Sequence, residues 1–170
     1  MSSPAFPSPS AAHADPMLTQ LRTACSLPLA VVGVGNPMKG DDGFGPAVVA
    51  ALPEIEGVAC FDAGMAPENW LAPIARSAPA SILLLDAADM GEPPGTLRLL
   101  APGELDAVAT STHGLPLGFF LGLLAGRCDA PARVLAAQPA SLALGAPVSE
   151  PVQAAIRRAA ALVQRLARTA

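Results

Sequence analysis

Charge, aromatic side chains and cysteine are all scarce in this 170-residue sequence, and each scarcity removes a class of function. Charged residues make up 14% and the formal net charge is −4, with no Lys/Arg cluster able to neutralise a run of phosphates. The nearest pair, Arg157 and Arg158, falls in a C-terminal helical pattern, where cations favour the negative end of the helix dipole. No nucleic-acid partner is expected. Aromatics are 4% against 52% hydrophobic residues in all, so small and aliphatic side chains must fill the core. Cys25, Cys60 and Cys128 stand far apart without a CxxC pair. That spacing argues against a thiolate zinc site and a disulfide framework, and for free thiols in a reducing compartment. The longest strongly apolar run, Leu115 to Gly126, falls well short of the roughly 20 residues that span a bilayer. The start of the chain lacks the basic and apolar regions of a signal peptide. A monomer in the cytoplasm, away from the membrane, is the expectation.

The length suits one domain. Residues 1–16 are rich in Ser, Pro and Ala with no apolar period, and are expected to form a disordered tail ahead of a single domain over 17–170. His13 lies in that tail. A short helix is expected at Leu18 to Cys25. From Leu29 onward, short apolar runs alternate with helix-compatible stretches. Strands are expected at Leu29 to Val34, Val58 to Phe61, Ile82 to Leu85, Thr96 to Leu100 and Arg133 to Ala137. Helices are expected at Asp42 to Leu52, Pro67 to Arg76, Leu115 to Ala125 and from Glu150 onward. Continuous apolar runs of strand length are buried on both faces. The pattern predicts an α/β three-layer sandwich, a twisted and mostly parallel sheet flanked by helices. In the last helix Val152, Ile156, Ala159, Val163 and Leu166 form one stripe, with Ser149 as N-cap and Pro151 in the first turn. Gly118, Gly122 and Gly126 share one face of the preceding helix, which suggests close packing onto the sheet.

The densest signal is Gly33 to Gly45 (GVGNPMKGDDGFG), which follows a strand and opens a helix. Position alone would allow a dinucleotide-binding turn. The glycine spacing is wrong for that fingerprint, and Asp41 and Asp42 stand where phosphates would lie. A like-charge contact at about 4 Å costs about 1 kcal/mol in water and several times more where water is excluded. The loop suits a cation better, although both acids also suit a helix start. Asp86 follows the apolar run Ile82 to Leu85, at a strand end where α/β sheets bind ligands. An Asp there equally forms turns or caps helices. His113 is the only histidine of the folded part. Two carboxylates and an imidazole can hold a first-row divalent metal with positions left open. There is no HExxH, GxSxG or Cys/His pairing for standard hydrolase chemistry.

These motifs, in order, resemble the hydrogenase maturation proteases. Beside Gly33 to Gly45, the segments Asp62 to Asn69, Leu85 to Gly91, Pro94 to Thr96, Ser111 to His113 and Gln138-Pro139 match the family pattern. The resemblance spans residues 29 to about 168 and is nearest to the branch that processes the large subunit of the formate hydrogenlyase hydrogenase. It implies Asp42, Asp86 and His113 as the residues that bind metal and serve catalysis. Asp42 is taken over Asp41 because the family ligand follows another acid. It further implies an aspartyl-type endopeptidase that recognises its substrate, a NiFe-hydrogenase large-subunit precursor, through nickel carried by that substrate, and removes a C-terminal peptide. A metal or a carboxylate would activate the attacking water. Glu68 is a candidate substrate contact and Lys39 a polar loop tip. The rival readings are a nucleotide-binding module, a nickel checkpoint or chaperone without cleavage, and a hydrolase of small amides.

Overall fold

The computed structural model describes residues 15–107, 109–110 and 116–168. Its strands are β1 (Leu29–Val34), β2 (Val58–Gly64), β3 (Ser81–Asp89), β4 (Leu97–Leu100), β5 (Ala109–Thr110) and β6 (Ala132–Ala137). Its helices are α1 (Pro16–Ala24), α2 (Phe44–Ala51), α3 (Leu71–Arg76), α4 (Leu117–Ala125) and α5 (Glu150–Ala167). The sheet runs in the order β2-β1-β3-β6-β4. β2, β1, β3 and β6 pair in parallel, and β4 lies antiparallel to β6. The short β5 pairs antiparallel with the end of β3, Thr110 opposite Ala88. The expected α/β sandwich is borne out.

Alternation along each strand divides the core into two layers. Leu29, Val31, Leu83, Leu85 and Leu135 pack with residues of α1, α2 and α5. Ala30, Val32, Ile82, Leu84 and Val134 pack with residues of α3 and α4. Every residue of β1 is buried, as is β3 from Ser81 to Ala88. This double coverage is why those strands read as continuous apolar runs. The stripe of α5 also holds, with Val152, Ala159, Val163 and Leu166 buried and Ile156 half-buried.

Three local expectations are corrected. α1 begins at Pro16, two residues early, because Asp15 caps it by accepting from the Met17 N–H at 3.0 Å. Asp15 and Pro16 thus belong to the domain; the rest of the expected tail, residues 1–14 with His13, lies outside the described residues. Gly118, Gly122 and Gly126 do not pack on the sheet. A Cβ at Gly118 or Gly122 would meet open space, and all three glycines are exposed. β3 runs on to Asp89 instead of stopping at Leu85, because β6 pairs with it through Ala87 and β5 through Asp89. Among the described residues no helix is long and apolar enough to cross a membrane.

The connection from β1 to β2 passes through α2 on one face, and that from β2 to β3 through α3 on the other. Crossovers of a single hand require this reversal. It makes the gap between the carboxyl ends of β1 and β3 the switch point of the sheet, where α/β folds bind ligands.

Candidate functional site

Two glycines seat the Gly-rich loop on the switch point. A Cβ at Gly45 would stand 2.3 Å from the Leu85 carbonyl oxygen and 2.4 Å from that of Val34, so α2 starts directly against the backbones of β3 and β1. Gly35 has φ +132°, and a Cβ there would lie 1.9 Å from the Asp42 carbonyl oxygen. With both positions free of side chains, the 3₁₀ turn Gly40–Gly43 carries Asp41 and Asp42 over the strand ends.

Asp42 is 3% exposed. Its Oδ2 accepts from the Asn36 N–H at 3.0 Å. Its Oδ1 is buried and accepts no hydrogen bond from any described residue. Asp86 is fully buried, one residue beyond Leu85, where the β1 pairing ends opposite Gly33. It lies inside β3, so the reading of it as a turn former or helix cap is removed. Its Oδ1 accepts from the Ala87 N–H at 2.9 Å. By strand alternation Asp86 shares a face with Leu84 and Ala88, the face covered by α3 and α4.

Asp41, next to Asp42, has a different fate. It is fully buried and accepts from the Ser149 N–H at 2.6 Å, the Ala140 N–H at 2.7 Å, the Ser149 hydroxyl at 2.9 Å and the Ser141 N–H at 3.1 Å. Burial pushes its carboxyl up most strongly as a single effect, but these donors together outweigh it and hold the group below the usual carboxylate range. No local pattern announces these partners, which lie 99 to 108 positions further along the chain. Asn36 was likewise missed as the donor to Asp42, although it stands within the loop motif.

His113 lies outside the described residues. The chain reaches that segment from Thr110, beside Ala88, and leaves it at Pro116 into α4, on the Asp86 face. Among the described residues no group of three or more His, Cys, Asp or Glu side chains is placed to hold a metal. Glu68 is exposed in the first turn of the 3₁₀ helix Pro67–Trp70, and Lys39 is half-buried just ahead of the Asp41 turn. Gln138, only 7% exposed, bridges the turn after β3: its Oε1 accepts from the Met90 and Glu92 N–H groups, and its Nε2 donates to Asp89.

A doubly wound sheet with two buried carboxylates at its switch point defines an α/β domain whose ligand end is acidic. The model of the hydrogenase maturation protease family HycI matches residues 47–166. Over 95 residues the chain is 39% identical to the hydrogenase 3 maturation protease of Escherichia coli K12, a match covering 54% of this chain and 60% of that protein's length. The crystal structure of the maturation protease HycI from Thermococcus kodakarensis superposes with a TM-score of 0.79 at 26% identity, over 90% of this chain and 99% of that one. The solution structure of the endopeptidase HycI from E. coli gives a TM-score of 0.70 at 31% identity, over 82% and 89%. The chain belongs to the hydrogenase maturation protease family, a family of peptidases.

Proposed function

We propose that this chain is an endopeptidase that removes the C-terminal extension of a NiFe-hydrogenase large-subunit precursor after nickel has been inserted into that precursor. The observation that carries the reading is Asp42 Oδ1, a buried carboxylate oxygen without a hydrogen-bond donor among the described residues, at the same switch point as the buried Asp86. An ionised oxygen kept from water and from donors is costly, and an arriving cation offsets that cost. His113 follows Thr110 by three residues, a span of at most about 11 Å at roughly 3.3–3.6 Å per residue. From beside Ala88 that reach includes the Asp86 face. Asp42, Asp86 and His113 would then offer two oxygens and a nitrogen. Such a set without thiolate holds nickel weakly by itself, which suits a metal that arrives as the substrate's cargo.

Loops at this end of the sheet also favour a polypeptide over a small amide. Met38 and Met65 are 69% and 68% exposed, and Leu144 is 73% exposed. The Met38 carbonyl accepts from the Gly145 N–H at 2.7 Å, so two of the three lie on bonded loops. Exposed apolar side chains gathered beside a site mark a surface that another protein covers.

The test is incubation of the purified protein with nickel-loaded and nickel-free precursor, followed by mass spectrometry. Loss of a C-terminal peptide from the loaded form alone is expected. Nickel-dependent binding without cleavage would establish the checkpoint reading instead. Cleavage of both forms would remove nickel from the recognition step.

A further inference from the structure

We infer that Asp41 is the positioning residue of this site, a latch that holds the segment Gln138 to Ser149 across the Gly-rich loop and thereby fixes Asp42. The four donors on Asp41 come from both ends of that segment, Ala140 and Ser141 at one end and Ser149 at the other. Two backbone bonds reinforce the contact, Asp41 N–H to the Ser141 carbonyl at 3.1 Å and Gly145 N–H to that of Met38 at 2.7 Å. The segment carries no charged side chain of its own, so the anionic anchor is supplied from the loop it crosses.

The capping of α5 shows the same tie from the other side. Ser149 is the N-cap of α5, yet its hydroxyl makes no capping bond to its own helix and donates to Asp41. An N-cap serine ordinarily accepts from the N2 or N3 N–H. Diverting it ties the start of α5 to the site. Asp41 and Asp42 share one turn, so whatever holds the first sets the backbone of the second. Reacting groups displaced by about 1 Å lose on the order of a hundredfold in rate.

The rate arm of the test rests on the proposed peptidase reading, whereas amide hydrogen exchange does not. Asp41→Asn keeps the size of the side chain but turns an NH₂ group toward N–H donors. The expected result is lost protection in both 36–42 and 138–149, with the protection of β1, β3 and β6 retained. On nickel-loaded precursor kcat should fall about 10- to 100-fold with KM within twofold. Ser149→Ala removes one donor only and should give the same pattern at smaller amplitude, which keeps the test open if Asp41→Asn does not fold. Unchanged exchange in 138–149, or wild-type kcat once that segment has opened, would overturn the latch. If the wild-type protein cleaves no precursor, the peptidase reading fails while the exchange data still decide the latch.

Discussion

Gly45 sits against Leu85 so closely that a Cβ would stand 2.3 Å from the Leu85 carbonyl oxygen. That contact joins the helix following the first acidic loop to the strand bearing Asp86, and it makes the geometry of the site a property of the core. Leu85 is held in β3 between β1 and β6, so its backbone cannot yield without moving a sheet bond. Gly45→Ala is therefore expected to destabilise by about 1–3 kcal/mol or more, as overpacking typically does. Urea denaturation should show a lower midpoint, and a midpoint equal to wild type would mean that α2 is not held as described.

Asp42→Asn should separate stability from activity. The amide oxygen still accepts from Asn36, and the uncompensated charge at Oδ1 is gone. A melting temperature equal to or above that of wild type is expected, as at sites where function is kept at the expense of stability. Precursor processing should drop at least a hundredfold, about 2.7 kcal/mol in barrier. Asp86→Ala and His113→Ala should abolish processing as well, and wild-type processing in any of the three would withdraw that residue's role.

Gln138→Ala should loosen the turn that follows β3. Met90 and Glu92 would lose their acceptor, at about 1 kcal/mol for each bond. Asp89, whose carboxyl the Gln138 amide and then the Gly91 N–H hold below the usual range, would lose its side-chain donor. The amide resonances of 89–92 should shift while those of α5 stay in place.

Asp15 gives a pH dependence with a definite sign. Burial pushes its carboxyl up, but the Met17 N–H and the Arg158 guanidinium at 3.2 Å outweigh this and lower it overall. A depressed carboxylate stabilises fully above its unfolded value, near 3.8, and the stabilisation fades as pH falls through the lower folded value. Asp15→Ala should cost about 1 kcal/mol at pH 7 as a lost N-cap. Urea midpoints of mutant and wild type should converge as pH falls below 3.8 and through the folded value, and a gap that stays constant would count against the ionised cap.

The thiols should react in an order set by burial. Cys25 is buried and its pKa is pushed up to about 11, while Cys60 is exposed. Alkylation at pH 8 is expected to modify Cys60 in the native protein, and Cys25 only after denaturant is added.

By itself the sequence determined those features that repeat over short distances. β1, β3 and β6 were legible as continuous apolar runs because both faces of each are covered, and α5 was legible because its buried residues recur every three or four positions. The ordered motifs disclosed the family for a related reason, since the Gly-rich loop is one contiguous stretch in which Gly35 must clear the carbonyl of Asp42, seven residues on. The resemblance already set Asp42 apart from Asp41, but what only the tertiary structure decided was how differently these two identical side chains of one turn are held. Their difference comes from donors at Ala140, Ser141 and Ser149, and no local rule reports a partner a hundred residues away. The placement of Asp86 inside a strand and the exposure of Gly118 and Gly122 have the same origin. Each depends on which segment lies alongside, and that is fixed by the pairing of β3 with β5 and β6 and by the packing of α4, not by the residues on either side in the chain.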